Sequence, residues 1–397
     1  MPKLLMVTTV AATLRAFLLP YARHFKKLGW QVDAMSRDAS SLSSWEECPF
    51  DHCHDVAFSR SPWSLESLRP RNFRALTARI RALVEEGGYD IIHVHTPVAS
   101  FVTRMALRRL VEPVEPVERP RPKIVYTAHG FHFYSDGNLF KNALFIALER
   151  LAGEWTDHTI TINRDDWEAA LFHKIAKRKR LSLLPGIGLD FSEYSPGAVS
   201  IADARKVHLD LGLTTDDELF LMVAEFNPGK RHRDALVALS KTGRKNFHLA
   251  LAGTGPLEND MKRLAFSLGI ALRVHFLGQR PDVPLLMLSS RATILPSERE
   301  GLNRSVMESI CLGIPVLGAD VRGIRDLVTS PDRGALFPLG NSAALAAAMI
   351  LSVDSPCPER PKPDPLWSID HLLKEHEKIY GRLLENSRPV AEAGVQS

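Results

Sequence analysis

Cysteine is scarce in this chain, four in 397 residues. That is too few for a disulfide framework, and a reducing cytoplasm is the expected setting. No apolar run reaches about 18 residues, which excludes a membrane-spanning helix of ordinary length. No Asp-x-Asp pair occurs anywhere, so no short carboxylate couple is offered to a catalytic divalent ion, and neither a metal nor another cofactor is expected. The basic segments carry no interleaved aromatics, so nucleic acid is not an expected partner. The loop expected after the first hydrophobic stretch, Thr8-Thr9-Val10-Ala11-Ala12-Thr13, holds no glycine, which limits how closely its backbone can approach a ligand.

What is present is ordinary for a globular protein: 45% hydrophobic and 24% charged residues, with a formal charge of +4. The positive residues gather in the first half, at Arg69, Arg71, Arg74, Arg79 and Arg81, at Arg104, Arg108 and Arg109, and from Lys174 to Arg180. They read either as solvated helix faces or as a surface for anionic lipid, a peripheral contact with the inner face of the plasma membrane. Cys48, His52, Cys53 and His54 lie close together, but their spacing fits no zinc pattern, and the segment reads as a loop. Met1 to Ala12 resembles a signal peptide weakly and a buried first strand better, because a helical pattern and a second strand follow.

Strands and helices alternate along the chain. Strands are expected at 3–8, 31–35, 90–95, 123–128 and 159–162, and again at 219–224, 248–252, 273–276, 292–295 and 315–318. Helices are expected between them, the first over 16–28, and a Pro- and Glu-rich loop from Val111 to Pro122. The succession implies an α/β chain with two tandem doubly wound, Rossmann-like domains. The expected limits are 1–188 and 189–365. A helix at 366–387 packs back on the first domain after the Pro-rich linker Asp354–Pro365, and a disordered tail spans 388–397. In such sheets ligands bind beyond the carboxyl ends of the strands, so two facing domains make a cleft, with a hinge near Pro185–Gly188. His93 and His95, closing the 90–95 strand, are read as pointing to opposite sides, His95 toward the cleft and His93 into packing.

The richest segment runs from Ser297 to Glu308. Glu300 stands beside Gly301 in a loop opened by Pro296, and Glu308 lies where apolar residues begin to recur at helical spacing. A loop carboxylate, unpaired N–H groups at a helix start and a second carboxylate further in suit a polyol joined to a phosphate. Helix N-termini favour anions, and a carboxylate accepts hydrogen bonds from vicinal hydroxyls.

These residues carry a family resemblance. Glu300 and Glu308 within EREGLNRSVMESICLGIPVLGADVRGIRDLV, the GTGPL turn at Gly253, YTAHGFHFY at Tyr126 and EFNPGKRH together resemble glycosyltransferase family 4. This is the retaining, nucleotide-sugar-dependent group with the GT-B fold, and bacterial capsule and exopolysaccharide enzymes are the nearest in pattern. The resemblance implies a hexose or N-acetylhexosamine donor, a UDP-sugar in the first instance, and a saccharide or polyprenyl-diphosphate-linked acceptor. By the same resemblance Glu300 would bind the donor sugar, Glu308 the ribose, and the N–H groups of Leu302, Asn303 and Arg304 the diphosphate. Lys230, with Arg231, would neutralise the leaving group, and His129 would lie near the transferred sugar. Gly253, Gly255, Gly278 and Arg280 fall on the donor side. Thr9, Ala11, Thr13, Arg15 and His95 fall on the acceptor side. Many members carry a basic residue where this chain has Glu225.

Three other functions stay open on the sequence. Glu300 and Glu308 could be the acid–base pair of a hydrolase, but such carboxylates stand about 5 to 9.5 Å apart. Eight helical residues would separate them by about 12 Å. A nucleotide-sugar epimerase and a non-catalytic partner subunit are the others.

Overall fold

The computed structural model describes residues 1–44, 47–59, 70–111, 121–134, 137–195, 197, 201–355 and 363–386. Arg69, the tail 388–397, most of the Val111–Pro122 loop and most of the Asp354–Pro365 linker therefore lie outside the described residues. The chain divides into two compact units, Met1–Pro185 with Asp370–Ser397, and Gly186–Ile369.

The first unit holds strands β1 (Lys3–Val10), β2 (Gln31–Arg37), β3 (Cys53–Asp55), β4 (Ile91–His95), β5 (Lys123–Ala128), β6 (His158–Thr161) and β7 (Leu181–Leu183). They form one sheet in the order β3-β2-β1-β4-β5-β6-β7, and every pairing is parallel. Helices cover a parallel sheet on both faces, so its central strands are apolar on both sides. Leu4, Leu5, Val7, Ile91, Ile92 and Val94 are fully buried. The helix Ile369–Glu385 buries Leu372, Leu373, His376, Ile379 and Tyr380. Tyr380 lies 4.9 Å from the ring of Phe25 and 5.9 Å from that of Trp30, and His376 meets Tyr21 edge-on at 4.9 Å.

Three expectations for this unit are corrected. Thr8–Thr13 is not a loop. β1 runs to Val10, and helix begins at Ala11, passing through a π-helical stretch, Leu14–Leu18, before Leu19–Lys27. Pro20 donates no backbone hydrogen bond, and the turn before it is the one wound as π-helix. The Cys48–His54 segment is not all loop, because its end forms β3, where His52 and His54 approach the buried Asp33 carboxylate at 3.2 and 3.7 Å. Among the described residues no group of three or more His, Cys, Asp or Glu is arranged to hold a metal. Arg104 is not a surface cation. It is fully buried, donates to Glu149 Oε2 at 3.0 Å and lies 4.0 Å over the Tyr126 ring.

The second unit holds β8 (Glu218–Val223), β9 (Phe247–Ala252), β10 (Val274–Gly278), β11 (Ala292–Leu295), β12 (Val316–Ala319) and β13 (Gly334–Phe337). Their order is β10-β9-β8-β11-β12-β13, again all parallel. β8 and β11 are neighbours at the centre, so the loops leaving their carboxyl ends emerge side by side. Among the described residues no helix is long and apolar enough to cross a membrane.

Candidate active site

In the second unit the loop after β8 is fixed by Asn227. Its side chain accepts from the Lys230 N–H at 3.2 Å and caps the short turn Pro228–Lys230. Arg231 takes a left-handed conformation, φ 54°, and turns the chain into helix His232–Lys241. The loop after β11 is tied to the first by the Glu298 N–H, which donates to the Gly229 carbonyl at 2.8 Å. The result is a close ion pair: Lys230 Nζ lies 2.6 Å from Glu300 Oε1, with the side chains 24% and 10% exposed. A third segment braces this loop. Arg322 Nε donates to the Glu300 carbonyl at 3.4 Å. Gly323 sits at φ +81°, where an added Cβ would fall 2.0 Å from the Gly301 oxygen.

Asn303 begins helix Arg304–Cys311 in extended conformation and accepts from the Val306 N–H at 3.1 Å, the preferred chemistry for an N-cap. Glu308, one turn in, is 6% exposed. Arg304 Nε donates to its Oε1 at 2.7 Å, and the Tyr194 hydroxyl lies beside the same pair. Burial raises the Glu308 carboxyl above its usual range against the opposing pull of Arg304 and Tyr194. Burial works to lower Arg304, but the Glu308 charge and hydrogen bond prevail and hold it higher.

The GTGPL turn has a structural reason for its glycines. A Cβ on Gly253 would lie 2.1 Å from the Ala224 oxygen, and one on Gly255 2.7 Å from the Phe226 backbone. The Phe226 N–H donates to the Thr254 carbonyl at 3.0 Å and the Leu257 N–H to the Phe226 carbonyl at 3.0 Å, so this turn sets the position of the loop after β8. Arg280 is clasped by Asp282 through two bonds of 2.7 and 2.6 Å, and Arg231 bonds Asp234 at 2.6 Å. Both cations are thus engaged within their own segments. Glu225 is exposed and accepts from Asn227 at 3.0 Å.

The first unit collects its own group at the carboxyl ends of β1, β4 and β5. The Thr9 N–H donates to Thr96 Oγ1 at 3.0 Å, and the two hydroxyls are 2.8 Å apart. His95 Nδ1 lies 3.1 Å from His129 Nε2. His93 and His95 do not face opposite sides: their rings are 4.0 Å apart, because a strand's period of two returns residue i+2 to the same face. His93 bonds Tyr380 at 2.5 Å and Thr127 at 2.7 Å, while His95 Nε2 is buried without a partner among the described residues. Burial, and after it the neighbouring His376, lowers His129 to about 4. Burial and the adjacent histidines also hold His93 and His95 well below the ordinary imidazole range. Ala11 is buried at the helix start, and Thr13 and Arg15 follow in the same helix, Arg15 exposed.

The expected donor residues Lys230, Glu300, Asn303, Arg304 and Glu308 thus share two adjoining loops and one helix start, with Leu302 half-buried between them. Sequence reasoning placed acceptor binding near His95–Ser100, which holds Thr96, but missed Tyr194, Arg322 and Gly323. Gly323 had a visible signal, a glycine just after β12 inside a patterned segment. Tyr194 had none, lying in a distant loop of no regular pattern.

Residues 17–185 match the model for Glycosyltransferase Family 4, and residues 203–363 match that for Glycosyl transferases group 1. EpsD of Bacillus subtilis (strain 168), which bears a glycosyltransferase name, is 30% identical over 349 residues, 87% of this chain and 85% of its own. A UDP-Gal:alpha-D-GlcNAc-diphosphoundecaprenol alpha-1,3-galactosyltransferase of Escherichia coli is 25% identical over 277 residues, covering 68% of each chain. The fold matches that of Anabaena HepE crystallised with UDP-glucose, with a TM-score of 0.68, 20% identity and coverage of 97% and 98% of the two chains.

Proposed function

The chain belongs to glycosyltransferase family 4, and from that premise we propose a retaining, metal-independent hexosyl- or N-acetylhexosaminyltransferase. It takes a UDP-sugar as donor and a saccharide or polyprenyl-diphosphate-linked saccharide as acceptor, in cell-surface polysaccharide synthesis. The observation that carries this reading is the Lys230–Glu300 contact of 2.6 Å beside the Asn303-capped helix with its buried Glu308. Without donor, the ammonium and the carboxylate satisfy each other. An arriving diphosphate draws Lys230 to itself, and Glu300 is released to accept hydrogen bonds from the sugar. Glu308 keeps Arg304 and Tyr194 and offers its remaining lone pairs to the ribose hydroxyls. The bond from the anomeric carbon to the diphosphate oxygen breaks while the acceptor hydroxyl bonds that carbon on the same face. The acceptor proton passes to the departing diphosphate oxygen. Lys230 and the helix start stabilise the charge that grows there, usually the largest catalytic contribution. His129, neutral near pH 7, acts as a hydrogen-bonding neighbour rather than a cation.

Support for the donor and acceptor classes comes from the names of the galactosyltransferase and HepE relatives. A lipid-linked acceptor is also favoured by the helix Leu139–Gly153 and its surroundings in the first unit. Leu139, Phe140 and Phe172 are 80%, 87% and 81% exposed, and exposed cations run from Lys177 to Arg180, a combination suited to an anionic membrane face.

The test is a thermal-shift screen with UDP-, GDP- and ADP-sugars, followed by transfer assays in EDTA with the anomeric configuration read by NMR. The expected result is a selective shift with a UDP-sugar and an α-linked product from an α-linked donor at undiminished rate. A β-linked product would overturn the retaining mechanism. Hydrolysed or epimerised donor in place of transfer would overturn the transferase reading itself.

A further inference from the structure

Away from the strand ends that carry His95 and His129, the first unit has a cavity of about 330 Å³ at the opposite edge of its sheet. Its wall is built from the beginnings of β5, β6 and β7 and from the last turns of helix Ile369–Glu385. Four cations line it: Lys123, Lys179, Arg180 and Arg382.

Their charge is not answered locally. The lining carboxylate, Asp157, is already held by Arg121 through two bonds of 2.8 Å and by the Ile124 N–H at 2.9 Å. Lys123, Lys179 and Arg180 have no ion pair among the described residues. Among the described residues Arg382 spends only its Nε, on the Lys378 carbonyl at 3.3 Å, which leaves its terminal nitrogens for a ligand. His158, between these groups, bonds Ser182 at 2.9 Å. Burial, and then the Arg382 charge, lowers it to about 4, so it stays neutral and able to donate or accept. The helix carboxyl end contributes a partial negative charge of about one half, well short of four full cations. Like charges converging on one concave site repel, and an anion there relieves the repulsion. Ile379 adds an apolar wall.

We propose that this cavity is a binding site for a phosphate-bearing ligand, a diphosphate or phosphomonoester no larger than a sugar phosphate, separate from the donor site. Guanidinium groups grip phosphate oxygens by two parallel bonds, and the lysines supply point charges around them. The same chemistry is met by a soluble phosphate compound or by the phosphate of a lipid headgroup.

The experiment uses the full chain. Inorganic diphosphate is titrated calorimetrically into wild type, Lys230→Ala and the double variant Arg180→Gln/Arg382→Gln. Flotation with phosphatidylglycerol and phosphatidylcholine vesicles runs in parallel. The expected result is a diphosphate site that survives Lys230→Ala and weakens at least tenfold in the double variant, whose melting temperature stays near wild type. Arg180→Lys/Arg382→Lys, which keeps the charge but loses the paired bonds, should weaken binding less than the glutamine variant and guards against a folding artefact. Loss of phosphatidylglycerol flotation alone in the glutamine variant, without soluble diphosphate binding, assigns the phosphate to a lipid. A single diphosphate site abolished by Lys230→Ala, with vesicle binding equal in all variants, overturns the proposal and leaves the donor site standing.

Discussion

Replacing Glu308 by glutamine separates its two duties. The carboxylate has about four acceptor positions. Arg304 Nε takes one at 2.7 Å and the Tyr194 hydroxyl lies against another, which leaves two for a pair of vicinal ribose hydroxyls. A hydrogen bond to a charged group contributes about 1.5–3 kcal/mol, roughly twice a neutral one. Glutamine keeps the shape but drops the charge, so two such bonds lose about 2–3 kcal/mol together, a rise in the UDP dissociation constant of about 30- to 150-fold. The structural cost is smaller. The Arg304 side chain is 35% exposed, so water takes over much of its unpaired charge, and about 1–2 kcal/mol of stability is lost. Calorimetry with UDP and with 2′-deoxy-UDP distinguishes the two contributions. Wild type should discriminate strongly between them, and Glu308→Gln should discriminate weakly while kcat at saturating donor falls less than about fivefold. A UDP affinity within twofold of wild type, or equal losses for both nucleotides, would refute the assignment of Glu308 to the ribose.

Lys230→Ala and Glu300→Gln should each lower kcat by about 100-fold or more, as loss of a charge-stabilising group does. The double variant should fall well short of the product, because each single change strands the other's partner; full additivity in kcat would deny that the pair acts as a unit. Gly323→Ala places a methyl group 2.0 Å from the Gly301 oxygen at φ +81°, and the loop bearing Glu300 must shift. A drop of about 2–4 kcal/mol in unfolding free energy is expected with a parallel fall in kcat, and wild-type activity would show that the brace is dispensable. His129, His158 and His376 are held at about 4 chiefly by burial. The unfolded chain therefore binds more protons between about pH 4 and 6.5. Their contribution is present above pH 6.5 and is lost as the pH falls through that window, at about 3 kcal/mol for the fully buried His376 alone. Urea midpoints that do not change from pH 7 to 5 would contradict this.

The central strands were legible because a two-sided parallel sheet demands unbroken apolar runs, as in Leu4–Val7 and Leu219–Met222. β3 and β7 were not, because each has only three residues, too few for a pattern to rise above its flanks, and β13 was not because it opens on Gly334 and leaves Ala335 and Leu336 exposed. The helices Arg164–Phe172, Ile201–Asp210 and Ser342–Asp354 also went unread, the last because it is apolar nearly all round. At the site, Glu300 and Glu308 were readable from their place at a loop-to-helix junction. Their resting partners were only half readable. Arg304 stands four residues before Glu308 on one helix, and that spacing alone brings them together. Lys230 meets Glu300 only through the Glu298–Gly229 backbone bond, and Tyr194 arrives from a loop with no periodicity.

The helix that seals the first unit is made only after the second unit. Tyr380 and His376 fill the space beside Tyr21, Phe25, Trp30 and His93, yet the whole second unit, Gly186–Ile369, is translated before them. At about 5–20 residues per second, the nascent chain waits roughly 10 to 40 s between completing its first sheet and receiving the segment that covers it. During that interval an apolar surface centred on Phe25 and Trp30 stands open on the ribosome. Transiently exposed apolar surface of this kind is what makes a nascent chain prone to association until its covering segment arrives.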